Sequence, residues 1–204
     1  MKIDELRSVE PKDSLGMLTF NSSVMKEILS TAKQLPNSPY FYSVIPSGGN
    51  QSSNDDDVCL ISPDKKLVGV LTIQIAEDTA YVMGVEISKN MRGKGLATSL
   101  YGIVLSILKL NLVSDSTQTP GGARTWVSLS KIPNVSVMGL MYNPSPEEIK
   151  TLGARNLRGG GTAYVFPVTV VNDTIVPVNS SETKLYSPTD TKFKLIAFYN
   201  KKVI

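Results

Sequence analysis

Between Val82 and Lys109 the sequence changes its apolar period from two to about four, and a glycine turn sits at the change. Tyr81, Met83 and Val85 alternate as one face of a strand. Leu96, Leu100, Ile103, Ile107 and Leu110 then form one stripe of an amphipathic helix. The link between them, Ser88-Lys89-Asn90-Met91-Arg92-Gly93-Lys94-Gly95, is basic and carries both glycines. A helix opening directly after such a turn aims its unpaired N–H groups and the positive end of its dipole into the turn. That arrangement calls for an anion, most often a phosphate, with Arg92 and Lys94 adding charge. A plain strand-to-helix connection with exposed basic residues is the simpler alternative, but it does not need two glycines flanking a lysine.

Composition narrows the chemistry. Histidine is absent, which removes Ser-His-Asp and Cys-His catalysis, histidine-ligated zinc and imidazole pH switching. One cysteine, Cys59, permits neither an internal disulfide nor a cysteine metal site, and its setting in Val58-Cys59-Leu60-Ile61 reads as a buried strand thiol. No metal site is expected. The formal charge of +3 is spread along 204 residues without a basic block, so nucleic acid is not an expected partner. Lys65-Lys66 and Lys201-Lys202 read as solvated ends. Met1–Arg7 has no apolar signal core and no run reaches spanning length, so the expected setting is cytoplasmic or within a soluble assembly, away from membranes.

Around the turn, a helix capped by Asn21-Ser22-Ser23 with an apolar face of Val24, Ile28 and Leu35, flanked by Met25, Leu29 and Ala32, is expected to end at Pro36. Strands are expected over Tyr40–Ile45, Val58–Ser62, Leu67–Ile75 and Ala80–Ile87, the last three as an antiparallel meander, with polar loops at Pro46–Asp57 and Ser114–Arg124. Trp126–Ile132 and Val135–Tyr142 read as strands, Ser145–Leu152 as a short helix begun by Pro146, and Thr162–Val171, Thr174–Val178 and Lys192–Tyr199 as strands. Trp126 and the Met138–Leu140 stripe read as packing. Gly159-Gly160-Gly161 reads as a reversal, or as a second anion nest.

Arg92-Gly93-Lys94-Gly95-Leu96-Ala97 resembles the Gln/Arg-x-x-Gly-x-Gly/Ala motif of the GNAT superfamily of acyl-CoA-dependent N-acyltransferases, and it lies between a strand and a helix as that family requires. The resemblance covers about residues 58–165 and implies an α+β (α/β three-layer) fold, a mixed and mostly antiparallel sheet with flanking helices, here with additional C-terminal strands. It implies domain limits of 1–165 for the acyltransferase domain and 166–204 for a β extension packed on it. It also implies transfer of an acetyl group from acetyl-CoA to a primary amine of a small molecule or protein. Met83, Gly84 and Val85 would line the pantetheine arm, and Arg92, Gly93, Lys94, Gly95, Leu96, Ala97 and Thr98 would hold the phosphates. The acceptor pocket would be built by Asn21–Leu35 and the later strands.

Leu152-Gly153-Ala154 is similar to the family's Leu-Gly-Phe. Counting back from it puts Ile149 where many members carry a thiolate-protonating tyrosine, which leaves Tyr142 as the candidate acid. Glu86 is the candidate base, with Glu77 and Asp78 behind it, although Glu86 also reads as a solvated strand carboxylate. An alternative to the enzyme is a GNAT-shaped structural or interaction protein of a viral or other assembly, using its C-terminal strands for pairing with a second copy or a partner. A dinucleotide fold fits less well, because Gly93-x-Gly95-x-x-Thr98 lacks the third glycine even though Asp115 lies near the ribose-binding offset. A Walker loop is excluded, since neither serine nor threonine follows Lys94.

Overall fold

The computed structural model describes residues 20–46, 55–115, 119–158, 161–178 and 193–200. The expectations for Met1–Arg7, for most of the loop 47–54, for Gly159-Gly160 and for Lys201-Lys202 lie outside the described residues. Internal contacts divide the chain into two compact units, Met1–Ile75 with Met83–Leu100, and Ala76–Val82 with Tyr101–Ile204.

The first unit begins with α1 (Ser22–Thr31), whose N-cap Asn21 accepts hydrogen bonds from the amides of Ser23 and Val24. The helix stops at Thr31, short of Pro36, because Lys33–Gln34 (β1) pairs with β2 (Phe41–Pro46). β3 (Asp55–Ile61) and β4 (Leu67–Ala76) continue the antiparallel sheet. The turn between these two strands puts Lys65 at φ 62°, and the Ser62 hydroxyl donates to Asp64 and accepts from the Lys66 amide. Ile28 of α1 packs with Ile45, Cys59, Ile61, Leu67 and Val70 of the sheet as a buried cluster. Burial, and then the nearby Asp57, push the Cys59 thiol up, so it stays protonated as a core group. β5 (Thr79–Ile87) is the neighbour of β4 and leads through a 3-10 turn, Lys89–Met91, to α2 (Leu96–Gly102).

After Gly102 the helix widens into a π turn, Ile103–Ile107, in which the Leu108 amide reaches the Ile103 carbonyl. The extra residue rotates the apolar face, so that Val104 and Leu105 are buried with Ile103 while Ile107 and Leu110 are only half-buried. Lys109 at φ 62° ends the helix.

The second unit is built on β6 (Asn111–Val113), β7 (Val135–Tyr142), β9 (Ala163–Val171), β10 (Thr174–Pro177) and β11 (Lys194–Tyr199). α3 (Pro120–Ser130), α4 (Pro146–Leu152) and the two-residue β8 (Arg155–Asn156) complete it. Within it the start of β5 pairs in parallel with β6, and antiparallel ladders join β6 to β11, β11 to β7, β7 to β9 and β9 to β10. The fold class is therefore the expected α+β one, a mixed and mostly antiparallel sheet with helices. β11 lies between β6 and β7, so this C-terminal strand is interior to its unit. α4 carries a full capping box between Ser145 and Glu148 and ends on Gly153 in the left-handed region.

A further expectation is corrected. Residues 126–130, the greater part of the expected strand Trp126–Ile132, lie in α3, together with Pro120-Gly121-Gly122 of the expected loop. Thr119 caps this helix by accepting from the Gly122 amide, and Pro120 fills the first turn, where its missing N–H costs nothing. Trp126 is buried there, edge-on to Tyr101 at 5.7 Å.

Candidate functional site

The glycine turn belongs wholly to the first unit. Gly93 and Gly95 have φ of 77° and 74°, a region L side chains rarely adopt, and a Cβ on either would meet nothing within 4 Å. Among the described residues, the first amide of this stretch with a backbone acceptor is that of Ser99, which bonds the Gly95 carbonyl at 3.0 Å. Among the described residues the amides of Gly93 through Thr98 make no backbone hydrogen bond outside the helix, and the space a Cβ would take at Gly93 and at Gly95 is open. Arg92 keeps its guanidinium at the turn by donating from Nε to the Ile87 carbonyl at 3.1 Å, which leaves its outer nitrogens available. Lys94 is exposed, its Nζ 3.4 Å from the Met91 sulfur. Donors, charge and open space together suit an anion such as a phosphate group.

Ahead of the turn, Met83 is 52% exposed and Gly84 is exposed, while Val85 and Glu86 are half-buried. The parallel ladder of β5 with β6 covers only Thr79↔Asn111, Ala80↔Leu112 and Tyr81↔Val113. Residues 82–87 have no β6 partner, so their backbone groups on that side are not used in that ladder. The Ser88 amide donates to the Val68 carbonyl and ties the strand's end to β4.

The candidate acid and base fall in different units: Glu86 in the first, Tyr142 in the second. Tyr142 ends β7, is 47% exposed and has its hydroxyl beside that of Tyr81. Partial burial, followed by the Tyr81 neighbour, pushes its phenol up to about 12. Glu77 and Asp78, the weaker base candidates, are both engaged by the guanidinium of Arg158. Ile149 lies in α4 and its carbonyl accepts from the amides of Gly153 and Ala154. Sequence reasoning missed Arg158 and did not place Tyr81 in a site, although both line a pocket of about 360 Å³ with Glu77 and Tyr142. Among the described residues no group of three or more histidine, cysteine, aspartate or glutamate side chains could hold a metal ion, and no helix is long and apolar enough to cross a membrane.

Residues 24–112, which contain most of α1, the meander, the turn and α2, match the family model described as Acetyltransferase (GNAT) family. A comparison with curated protein sequences finds no match. Among solved structures the chain is similar to an IAA acetyltransferase from Bacillus cereus ATCC 14579, at 9% identity and a TM-score of 0.40 over 78% of this chain and 98% of that one. It is also similar to the ribosomal-protein-S18-alanine N-acetyltransferase from Escherichia coli, at 14% identity and a TM-score of 0.37 over 82% and 96% of the two chains. A third similar structure is a spermidine N-acetyltransferase SpeG chimera from Vibrio cholerae and hSSAT, at 12% identity and a TM-score of 0.35 over 73% and 70%.

Proposed function

We propose that this chain is an N-acyltransferase that moves the acetyl group of acetyl-CoA to a primary amine by direct attack, in a cytoplasmic or otherwise soluble setting. In this reading residues 1–165 form the transferase and 166–204 are built onto it. The observation that carries the reading is the run of Gly93–Thr98 amides, which among the described residues make no backbone hydrogen bond outside the helix, with open space beside both positive-φ glycines, inside the segment that matches the family model. The thioester supplies the activated acyl group. Arg92 through Thr98 hold the diphosphate, and Met83, Gly84 and Val85 offer backbone groups to the pantetheine arm. The N–C bond forms as the C–S bond breaks. Glu86 takes the proton lost by the ammonium, directly or through water, and Tyr142 returns one to the departing sulfur. Holding amine and thioester together supplies much of the acceleration. Cys59, buried and protonated, is unsuited to form an acyl-enzyme.

The test is acetyl-CoA binding by calorimetry, followed by thiol release with a panel of primary amines. Saturable binding with amine-dependent release supports the transferase. Binding with silence across the panel favours the structural reading, for which Ile149 at the family's usual tyrosine position speaks. Tyr142→Phe separates the two further. Loss of a general acid lowers kcat by about 100-fold with acetyl-CoA affinity unchanged. The phenol's raised pKa keeps its proton in place below about pH 11, so no loss of rate from phenol ionisation is expected between pH 7 and pH 10.

A further inference from the structure

The pocket lined by Tyr81, Tyr142, Glu77 and Arg158 belongs entirely to the second unit, and the reading above leaves it unassigned apart from Tyr142. Its floor is Val113, Leu140 and Ile196, part of the buried cluster that holds β6, β7 and β11 together. Its rim carries Glu77 and Arg158, and Asp78 completes the ion-paired triplet. Two carboxylates against one guanidinium leave a net single negative charge there. The Arg158 segment is fixed from behind: the Asn156 side chain accepts from the Arg158 amide at 3.1 Å and donates to the Gly161 carbonyl. At about 360 Å³ the space is at the small end of ligand pockets, enough for one ring and a short chain and too small for a folded acceptor's surface. Apolar floor, two phenol rings and one uncompensated carboxylate form a site for a monocation with a hydrophobic body.

We propose that this pocket takes a small primary aralkylamine, with its apolar body on Val113, Leu140 and Ile196 and its ammonium at the Glu77 rim. A dication is disfavoured, since Arg158 already occupies one equivalent of carboxylate.

The experiment titrates 2-phenylethylamine, its neutral analogue 2-phenylethanol and butane-1,4-diamine into the full chain by calorimetry at pH 7, with acetyl-CoA titrated separately into the same preparations. 2-Phenylethylamine is expected to bind at least about tenfold more tightly than either comparison compound. Glu77→Gln, an exposed turn change that leaves the core alone, should weaken it by about fivefold. Ala163→Trp, which fills the pocket from β9, should abolish it. Equal binding of the alcohol, affinity unchanged in both variants, or no heat from 2-phenylethylamine in the wild type would overturn the proposal. Amine binding without acetyl-CoA binding would sink the transferase reading and leave the pocket standing; the reverse result would do the opposite.

Discussion

Gly95→Asp is expected to weaken acetyl-CoA binding by at least about 100-fold, the equivalent of about 2.7 kcal/mol. Two effects act in one direction. A carboxylate placed about 4 Å from a phosphate costs on the order of 4 kcal/mol at the effective dielectric of a protein surface. The Asp side chain also fills the open space beside Gly95 that the diphosphate would use. The fold itself should tolerate the change. No protein atom lies within 4 Å of the added Cβ, so the cost is that of the left-handed backbone at φ 74°, which aspartate bears better than most residues. A penalty of about 1 kcal/mol corresponds to a Tm lower by about 2–4 °C for a chain of this size. Gly95→Ala, measured beside it, carries a somewhat larger backbone cost with no charge and only a methyl group in that space, and should lose far less affinity. Calorimetry of the three proteins decides the matter: if alanine and aspartate weaken binding equally, the electrostatic account of the turn is wrong.

What the sequence disclosed and what it hid follow from range. The strand, turn and helix from Thr79 onward were legible because period, glycine and charge change together within a few neighbouring residues. The caps at Asn21, Ser145 and Gly153 were equally local. α3 was misread, although Thr119-Pro120 is a start signal, because Gly121-Gly122 and the compact run Trp126-Val127-Ser128-Leu129 suit a loop and strand equally well. β6 spans three residues, and only its pairing with Thr79–Tyr81 and with β11 makes it a strand. Arg158 meets Glu77 and Asp78 from 81 and 80 residues away, a contact no local pattern encodes. The anion turn was thus readable from one segment, whereas the pocket needed six strands brought together first.

The largest stability effect is expected at Gly139, in the middle of β7. It stands opposite Phe166 of β9, and a Cβ built there would fall 2.1 Å from the Phe166 ring. The ring covers the bare glycine backbone and is itself held edge-on by Phe193 at 5.3 Å, so it cannot simply swing aside. Gly139→Ala therefore forces either the ring off its rotamer or the two strands apart. The expected loss is about 3 kcal/mol, read as a Tm lower by about 6–12 °C. Phe166→Leu alone should also destabilise, by leaving a cavity. Combined with Gly139→Ala, however, the smaller side chain makes room for the new methyl, and the double variant should be more stable than the sum of the two losses by at least about 1 kcal/mol. Urea titration of the four proteins measures that coupling, and strict additivity would mean that ring and glycine do not interlock. The same strand carries Leu140 and Tyr142 into the pocket.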